Sequence, residues 1–254
     1  MAAGKRRRTR GVAATMWAIL AGPTLGFSAS QAWADGWSGS LGLASNNLYR
    51  GRSLTLDRPA WLADLRYEIG NEWVFGLGAS AERPEYEAPA AQIVLRIDRR
   101  WQLDENWAAK VGYARYEEPW NEWRSELRYD EVNAAIGYRG RWALSLAMSS
   151  NRSAVYAYTI PQRKGFAAWA ELSLRQPIAG RLAVDAGFGY AYLARSGDAN
   201  YRYGSVGLSY GIGDVDLAFA RVWTDGAAPY YWWEGGDHGR PAHSRWLASA
   251  IWNF

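Results

Sequence analysis

Charged side chains recur at every second position in several short segments of the chain, as in the run Asp64, Arg66 and Glu68. Because successive side chains of a β-strand point to opposite faces, each run would lie on one face of a strand. Charges of both signs on one face could line a water-filled pore with weak selectivity, or pair with one another and plug a narrow barrel. The strand positions that would carry this chemistry are Asp64, Arg66, Glu68, Arg96, Asp98, Arg100, Lys110, Glu131, Glu171, Arg175, Asp185 and Asp216.

The two histidines offer little support for hydrolytic chemistry. His243 is followed by Ser244, but adjacent residues of a strand face opposite sides, so these two would not pair in a Ser-His-acid set. The chain has no cysteine, no phosphate-binding glycine loop and no convincing cluster of metal ligands. We therefore expect no enzyme, no metal and no cofactor; the alternative is an enzyme that acts on lipid or lipopolysaccharide.

The aromatic stretch YYWWEGGDHGRPAHSRW covers residues 230–246 and includes Glu234, Asp237 and His238. Stacked rings with polar neighbours could bind a sugar. The alternative, which we favour, is an aromatic cluster at a membrane interface below a glycine-rich surface loop. In a structural or adhesion protein, the function would lie in the connection 225–242.

The elements that must position these residues are strands. After residue 34 the chain divides into segments of alternating polarity, each bounded by turn residues, and no convincing helix is found. The pattern therefore predicts an all-β fold. The twelve predicted strands are 36–45, 58–69, 72–82, 91–101, 107–116, 127–138, 141–150, 165–176, 181–194, 201–211, 214–224 and 243–254.

The connections alternate between tight turns and longer loops. The turns 70–71, 139–140, 177–180 and 212–213 each contain a glycine that can take the positive φ of a tight turn, and 102–106 is also short. The longer connections are 46–57, 83–90, 117–126, 151–164, 195–200 and 225–242. Short turns at one end and long loops at the other predict a closed antiparallel transmembrane β-barrel of about 12 strands, of the kind found in outer membranes.

The two faces of the predicted strands differ in polarity as a barrel in lipid requires. One face is apolar, and the other carries the charged positions and small residues, because Arg or Lys facing lipid costs about 2–4 kcal/mol at the midplane. Tryptophans mark both strand ends, as membrane interfaces favour. Those near the short turns are Trp37, Trp73, Trp107, Trp142 and Trp252, and those near the long loops are Trp61, Trp223 and Trp246. The alternative is a soluble β-sandwich, whose exposed face would then carry Trp and Leu.

The first 34 residues have the pattern of a secretory signal peptide. Five basic residues precede an apolar run, and a small-residue site at Ala32 and Ala34 predicts cleavage after Ala34. The alternative is an N-terminal membrane anchor. Removal of 1–34 leaves 24 of the 29 basic residues against 25 acidic ones, a net charge of −1. Net charge therefore does not indicate a nucleic-acid partner.

The chain ends on the alternating stretch SRWLASAIWNF. We expect residues 243–254 to be the closing strand of barrel 35–254, paired with the strand near 36–45. A terminal Phe254 with aromatics at alternate positions resembles the end of many outer-membrane barrels, which the barrel assembly machinery recognises. The resemblance implies that machinery, outer-membrane lipid and lipopolysaccharide as partners, and the outer membrane as the location.

The connection 46–57 and its flanks, SNNLYRGRSLTLDRPA, resemble the N-terminal motif of the TorF-type porins, also known as the Gcw_chp proteins of unknown function. That motif is approximately Ser-x-x-x-aromatic-Arg-Gly-x-Ser-x-Thr followed by Pro-Ala. The residues that fill it here are Ser45, Tyr49, Arg50, Gly51, Ser53, Thr55, Pro59 and Ala60. The resemblance implies an outer-membrane barrel with porin function and no established substrate.

Arg50 is the residue of this motif with the clearest chemistry. It could point back into the lumen and pair with an acid there, with Gly51 allowing a tight bend. Arg50 would then join the pore-lining candidates as a constriction or selectivity residue. The alternative, which we favour, is a structural latch that folds the loop onto the barrel wall.

Overall fold

A computed structural model describes residues 35–55, 57–70, 72–82, 90–119, 128–152, 165–194, 200–225 and 243–254. The predicted signal peptide 1–34 and nearly all of the connection 225–242 lie outside these residues. Within the described ranges, no helix is both long and apolar enough to cross a membrane.

The described residues form strands whose positions confirm the twelve predicted segments to within three residues at each end. Two additional strands of two residues each, β2 and β3, lie within the connection 46–57. The strands are β1 Gly36–Ala44, β2 Leu48–Tyr49, β3 Arg52–Ser53, β4 Ala60–Ile69, β5 Trp73–Glu82, β6 Ala90–Gln102, β7 Trp107–Glu117, β8 Tyr129–Tyr138, β9 Trp142–Arg152, β10 Gly165–Ala179, β11 Leu182–Ala194, β12 Tyr201–Ile212, β13 Val215–Asp225 and β14 His243–Asn253.

Twelve of these strands form a closed antiparallel barrel in the order β1-β14-β13-β12-β11-β10-β9-β8-β7-β6-β5-β4. The closing strand predicted at the chain end is confirmed, because β14 pairs with β1 in a register that sets Leu41 opposite Trp252. The backbone amide and carbonyl of Phe254 continue this pairing with Gly39 at 3.0 Å each. Closure leaves no unpaired sheet edge, as a barrel in lipid requires.

The outer surface of the barrel is apolar, and the alternation of faces is confirmed. Large apolar side chains of every barrel strand face outward and are exposed, while the charged positions predicted to face inward are buried or half-buried. Exposed members include Trp37, Trp61, Leu77, Leu95, Val111, Val132, Leu146, Leu172, Phe188, Leu208, Phe219 and Trp252. A surface of this kind is stable against hydrocarbon and would be a liability in water.

The glycines predicted to form the short turns have the backbone conformation that such turns need. Gly70, Gly140, Gly180 and Gly213 all have positive φ, between 55° and 61°. The predicted turn 177–180 is too long, because β10 continues to Ala179. An irregularity between Pro177 and Ala179 lets the strand continue past a proline, which has no N–H for the ladder.

Candidate functional site

The connection 46–57 does not stay at the barrel rim but folds into the lumen. Its strands β2 and β3 pair as a two-residue hairpin, and we call residues 48–53 the lumen hairpin. The tip residues Arg50 and Gly51 have φ values of 50° and 77°, which match the positive φ of hairpin turns. Arg50 is 2% exposed, so the tip lies inside the protein rather than in water.

The guanidinium of Arg50 reaches the wall opposite the strands from which the hairpin starts. Its Nη1 and Nη2 donate to the two carboxylate oxygens of Glu131 at 2.8 and 3.0 Å. Its Nε lies 3.7 Å from Glu171, and its Cζ lies 4.0 Å from the ring centre of Trp169. A bidentate charge-assisted pair of this kind fixes direction as well as distance. The lumen hairpin therefore crosses the barrel from β1 and β4 to β8 and β10.

Gly51 fits the tip because no side chain could be placed there. Its carbonyl accepts a hydrogen bond from Thr224 Oγ1 of β13 at 2.7 Å. A Cβ at this position would lie 2.6 Å from Thr224 Oγ1 and 2.6 Å from Tyr203 Cβ. The positive φ and the close approach thus both require glycine.

The two residues of β2 pack against opposite sides of the barrel wall, because neighbouring side chains of a strand point in opposite directions. Leu48 packs in an apolar cluster with Ala44, Val222, Leu247 and Ile251. Tyr49 packs in a second cluster, which contains Val94, Ala114, Tyr116 and Tyr129. The hairpin therefore contacts the wall of the barrel on both of its sides.

Tyr49 also joins the polar contacts at the tip. Its hydroxyl lies 3.3 Å from Glu131 Oε2 and 3.3 Å from the hydroxyl of Tyr116. Burial raises the pKa of the Tyr49 phenol well above its ordinary value, so the hydroxyl keeps its proton and can donate to the carboxylate. Glu131, which is 0% exposed, is thus held by both Arg50 and Tyr49.

Hydrogen bonds within the connection and to strand β5 hold the base of the lumen hairpin. Asn47 Nδ2 donates to the carbonyl of Ala81 at 2.8 Å, and Leu54 N donates to the carbonyl of Asn47 at 2.7 Å. Thr55 Oγ1 donates to the carbonyl of Arg58 at 2.7 Å and accepts from Asn47 N. These contacts, which include the motif residue Thr55, therefore fix the path by which the chain enters and leaves the lumen.

The remaining pore-lining candidates lie on the inner wall, mostly as local ion pairs. Asp64 pairs with Arg96 at 2.5 Å and with Arg66 at 2.6 Å. The structure does not bring all the candidates into one ring; further contacts are Arg100 with Glu68 at 3.3 Å, Lys110 with Asp98 at 3.5 Å, Arg175 with Asp185 at 3.6 Å and Asn253 with Asp216 at 3.0 Å. Inward placement is what a pore lining needs, and the role itself stays a prediction.

Aromatic residues that were not predicted from the sequence surround the hairpin tip. Trp169, Tyr116, Tyr129, Tyr201 and Tyr203 all face inward and are at most 5% exposed. A signal for two of them was present. Tyr129 and Trp169 each precede an inward acid by two residues, so strand alternation places both on the lumen face.

The regions considered for other chemistry lie only partly within the described residues. Glu234, Asp237 and His238 lie outside the described residues. Ser244 is exposed, and its Oγ accepts a hydrogen bond from Arg221. In the part of the chain that the structure describes, no three His, Asp or Glu side chains are grouped so that they could hold a metal ion.

No protein-family model and no curated protein matches this sequence. Its fold, however, is similar to solved outer-membrane channels. The NanC porin superposes with a TM-score of 0.53 at 9% identity, over 85% of this chain and 98% of that chain. The COG4313 outer membrane channel from Pseudomonas putida F1 gives 0.54 at 11% identity, over 90% and 99%. At these identities the likeness shows a shared barrel fold.

Proposed function

We propose that the chain is an outer-membrane channel that passes small solutes by diffusion through a lumen narrowed by the lumen hairpin. The observation that carries the proposal is a barrel with an apolar outside and a charged inside, crossed by a loop that enters the lumen from one end. The NanC porin and the COG4313 outer membrane channel share this barrel fold. Twelve strands give a bore between the filled eight-stranded barrels and the open porins of 16–18 strands.

A path for a small solute would run along the wall formed by β8, β9 and β10. A small cavity beside the hairpin tip is lined by Arg50, Lys110, Asn133, Ser145 and Glu171, among others. These groups can exchange hydrogen bonds with a polar solute in place of water. Leu48 and Tyr49 pack in apolar clusters against two other parts of the wall.

We also propose that the chain is a TorF-type porin. The support is that the motif residues form the lumen hairpin and its base rather than a surface loop. Tyr49 and Arg50 hold Glu131, Gly51 permits the turn, and Thr55 fixes the return of the chain. The two roles considered for Arg50, a structural latch and a constriction, would then be served by the same contact, because the contact that folds the loop inward also narrows the lumen.

The remaining features of the proposal concern export and partners. The segment 1–34 would act as a cleaved signal peptide, and the last strand, ending at Phe254, would be recognised by the barrel assembly machinery. Lipid and lipopolysaccharide would contact the apolar outer face. A passive channel needs no catalytic residue, which agrees with the expectation that the chain is not an enzyme.

The test is conductance of the refolded protein in planar lipid bilayers. We expect a small single-channel current for the wild type and a larger one for Arg50→Ala, because that variant loses the anchor of the tip. Arg139→Ala, at an exposed turn, is the matched control and should conduct as the wild type does. Absence of any current at every voltage, in the wild type and in Arg50→Ala, would show a plugged barrel with a structural role.

A further inference from the structure

The end of β9 contains an extra residue that changes which way its side chains point. Along most of β9 the even-numbered residues, such as Leu146 and Met148, face outward. Ala167 of β10 pairs with Ser149, whereas Gly165 pairs with Arg152, so three steps on β9 match two on β10. A bulge of this kind re-aims the side chain that follows it. Arg152, an even-numbered residue, is thereby turned into the lumen.

Aromatic rings surround the guanidinium that the bulge delivers. Arg152 Cζ lies 4.8 Å from the ring centre of Tyr129, 5.0 Å from that of Trp169 and 5.9 Å from that of Tyr49. Cation–π contacts hold such a group in one place without neutralising it. Because Trp169 also contacts Arg50, Arg152 lies directly beside the tip of the lumen hairpin.

Arg50 and Arg152 lie side by side in the lumen but differ in whether a carboxylate pairs with their positive charge. Arg50 faces the carboxylates of Glu131 and Glu171. No carboxylate of the described residues forms an ion pair with Arg152, and among the same residues its buried Nη1 has no hydrogen-bond acceptor. A buried donor that lacks a partner is unusual in a folded protein and costly to maintain. Arg152 as a whole is partly buried, and it is the last residue of β9, at the long-loop end of the barrel.

We propose that Arg152 is a binding site for the carboxylate of a small, singly charged solute at the long-loop end of the lumen. The planar guanidinium matches a carboxylate in geometry, and the Nη1 proton would gain its missing acceptor. A single charge fits best, since Glu131 and Glu171 lie behind Arg50 and would repel a second one. This inference deepens the proposed channel function by naming the class of solute that the mouth attracts.

The test is ¹⁹F line broadening of trifluoroacetate with the refolded protein in detergent, with trifluoroacetamide as the uncharged isostere. We expect saturable broadening of the anion only. Arg152→Gln should raise the apparent Kd for trifluoroacetate at least about tenfold, the size of one lost charge-assisted hydrogen bond. Arg139→Gln, which removes an exposed arginine at the other end of the barrel, is the matched control and should leave the Kd unchanged.

Arg152→Lys is a second variant that can be measured if Arg152→Gln does not fold, because it keeps the positive charge. It should bind more weakly than the wild type, since it loses the planar fork, yet more tightly than Arg152→Gln. Equal broadening by the anion and the amide, or an unchanged Kd in Arg152→Gln, would overturn the inference and leave the bulge only a means of keeping Arg152 out of lipid. The measurement needs no ion flow, so it separates the two proposals. Binding without conductance would support this site and contradict the channel function. Conductance without binding would support the channel function and contradict this site.

Discussion

Two turns of the molecule are built on the same dipeptide and differ in everything else. Arg50-Gly51 and Arg139-Gly140 both have positive φ at both residues, 50° and 77° in the first and 52° and 60° in the second. Arg139 is exposed at the short-turn end, where its Nε donates to Asn106 Oδ1 at 2.8 Å. Arg50 is buried in the lumen on Glu131. The dipeptide therefore specifies a bend, and the surroundings decide whether its arginine has a role.

The difference in surroundings is mainly electrostatic. An exposed arginine gains little from a polar neighbour, because water screens the contact and competes for it. A buried arginine on a buried carboxylate can be removed only by leaving the other charge without a partner. The same deletion should therefore have very different effects in the two turns.

The largest effect is expected for Arg50→Ala. Loss of the guanidinium leaves Glu131 buried and unpaired, and we expect the free energy of unfolding to fall by about 3 kcal/mol, the lower end of the range for broken buried pairs, because the hairpin can leave the lumen and hydrate Glu131. Urea titration of the protein refolded in lipid vesicles, followed by tryptophan fluorescence, measures it. A loss no larger than that of Arg139→Ala would show that burial does not distinguish the two turns.

Gly51→Ala should rank next. The new methyl group would add overpacking against Thr224 and Tyr203, about 1 kcal/mol at the lower end of its range, to the cost of positive φ, for a total of about 2–3 kcal/mol. Gly180→Ala is the matched control, because Gly180 has a φ of 55° but nothing lies within 4 Å of the position that an added methyl group would take. The same urea titration should then give the control the φ cost alone, about 1–2 kcal/mol. Equal losses would place the tip of the hairpin outside the packed lumen.

A double variant measures how strongly Arg50 and Glu131 interact. Arg50→Met with Glu131→Met removes both buried charges and keeps apolar volume, so we expect it to recover at least about 1 kcal/mol of the loss caused by Arg50→Met alone. A full set of single and double variants in one unfolding assay gives the coupling energy. Simple additivity of the two single losses would mean that the two side chains do not interact.

Arg139→Ala should have the smallest effect. It removes one exposed hydrogen bond and leaves the turn glycine in place, so the free energy of unfolding should change by less than about 0.5 kcal/mol. Because Arg139 N also donates to the carbonyl of Asn106 through the backbone, the turn itself should persist. If Arg139→Ala lowered the free energy of unfolding as much as Arg50→Ala does, the difference between the exposed and the buried turn would be contradicted.

The barrel could be predicted from local sequence, whereas the lumen hairpin could be predicted only in part. Strand alternation is written in each ten-residue segment, and a glycine marks most of the tight turns. Pairing of Arg50 with a lumen acid was foreseeable, but the choice of Glu131 was not, since the two lie 81 residues apart. Arg152 was missed because it fell in the predicted connection 151–164, whereas β9 continues to Arg152 and the bulge pairing with Gly165 turns that side chain inward.

Whether the lumen hairpin narrows the lumen can be measured as the single-channel conductance of a barrel from which the hairpin has been removed. Asn47 and Leu54 are already joined by a backbone hydrogen bond of 2.7 Å, so two glycines can replace residues 48–53 and connect the chain between them. A folded barrel band in unheated gels confirms assembly of the variant. We expect the variant without the hairpin to have a severalfold larger single-channel conductance than the wild type. An unchanged conductance would contradict the claim that the hairpin narrows the lumen.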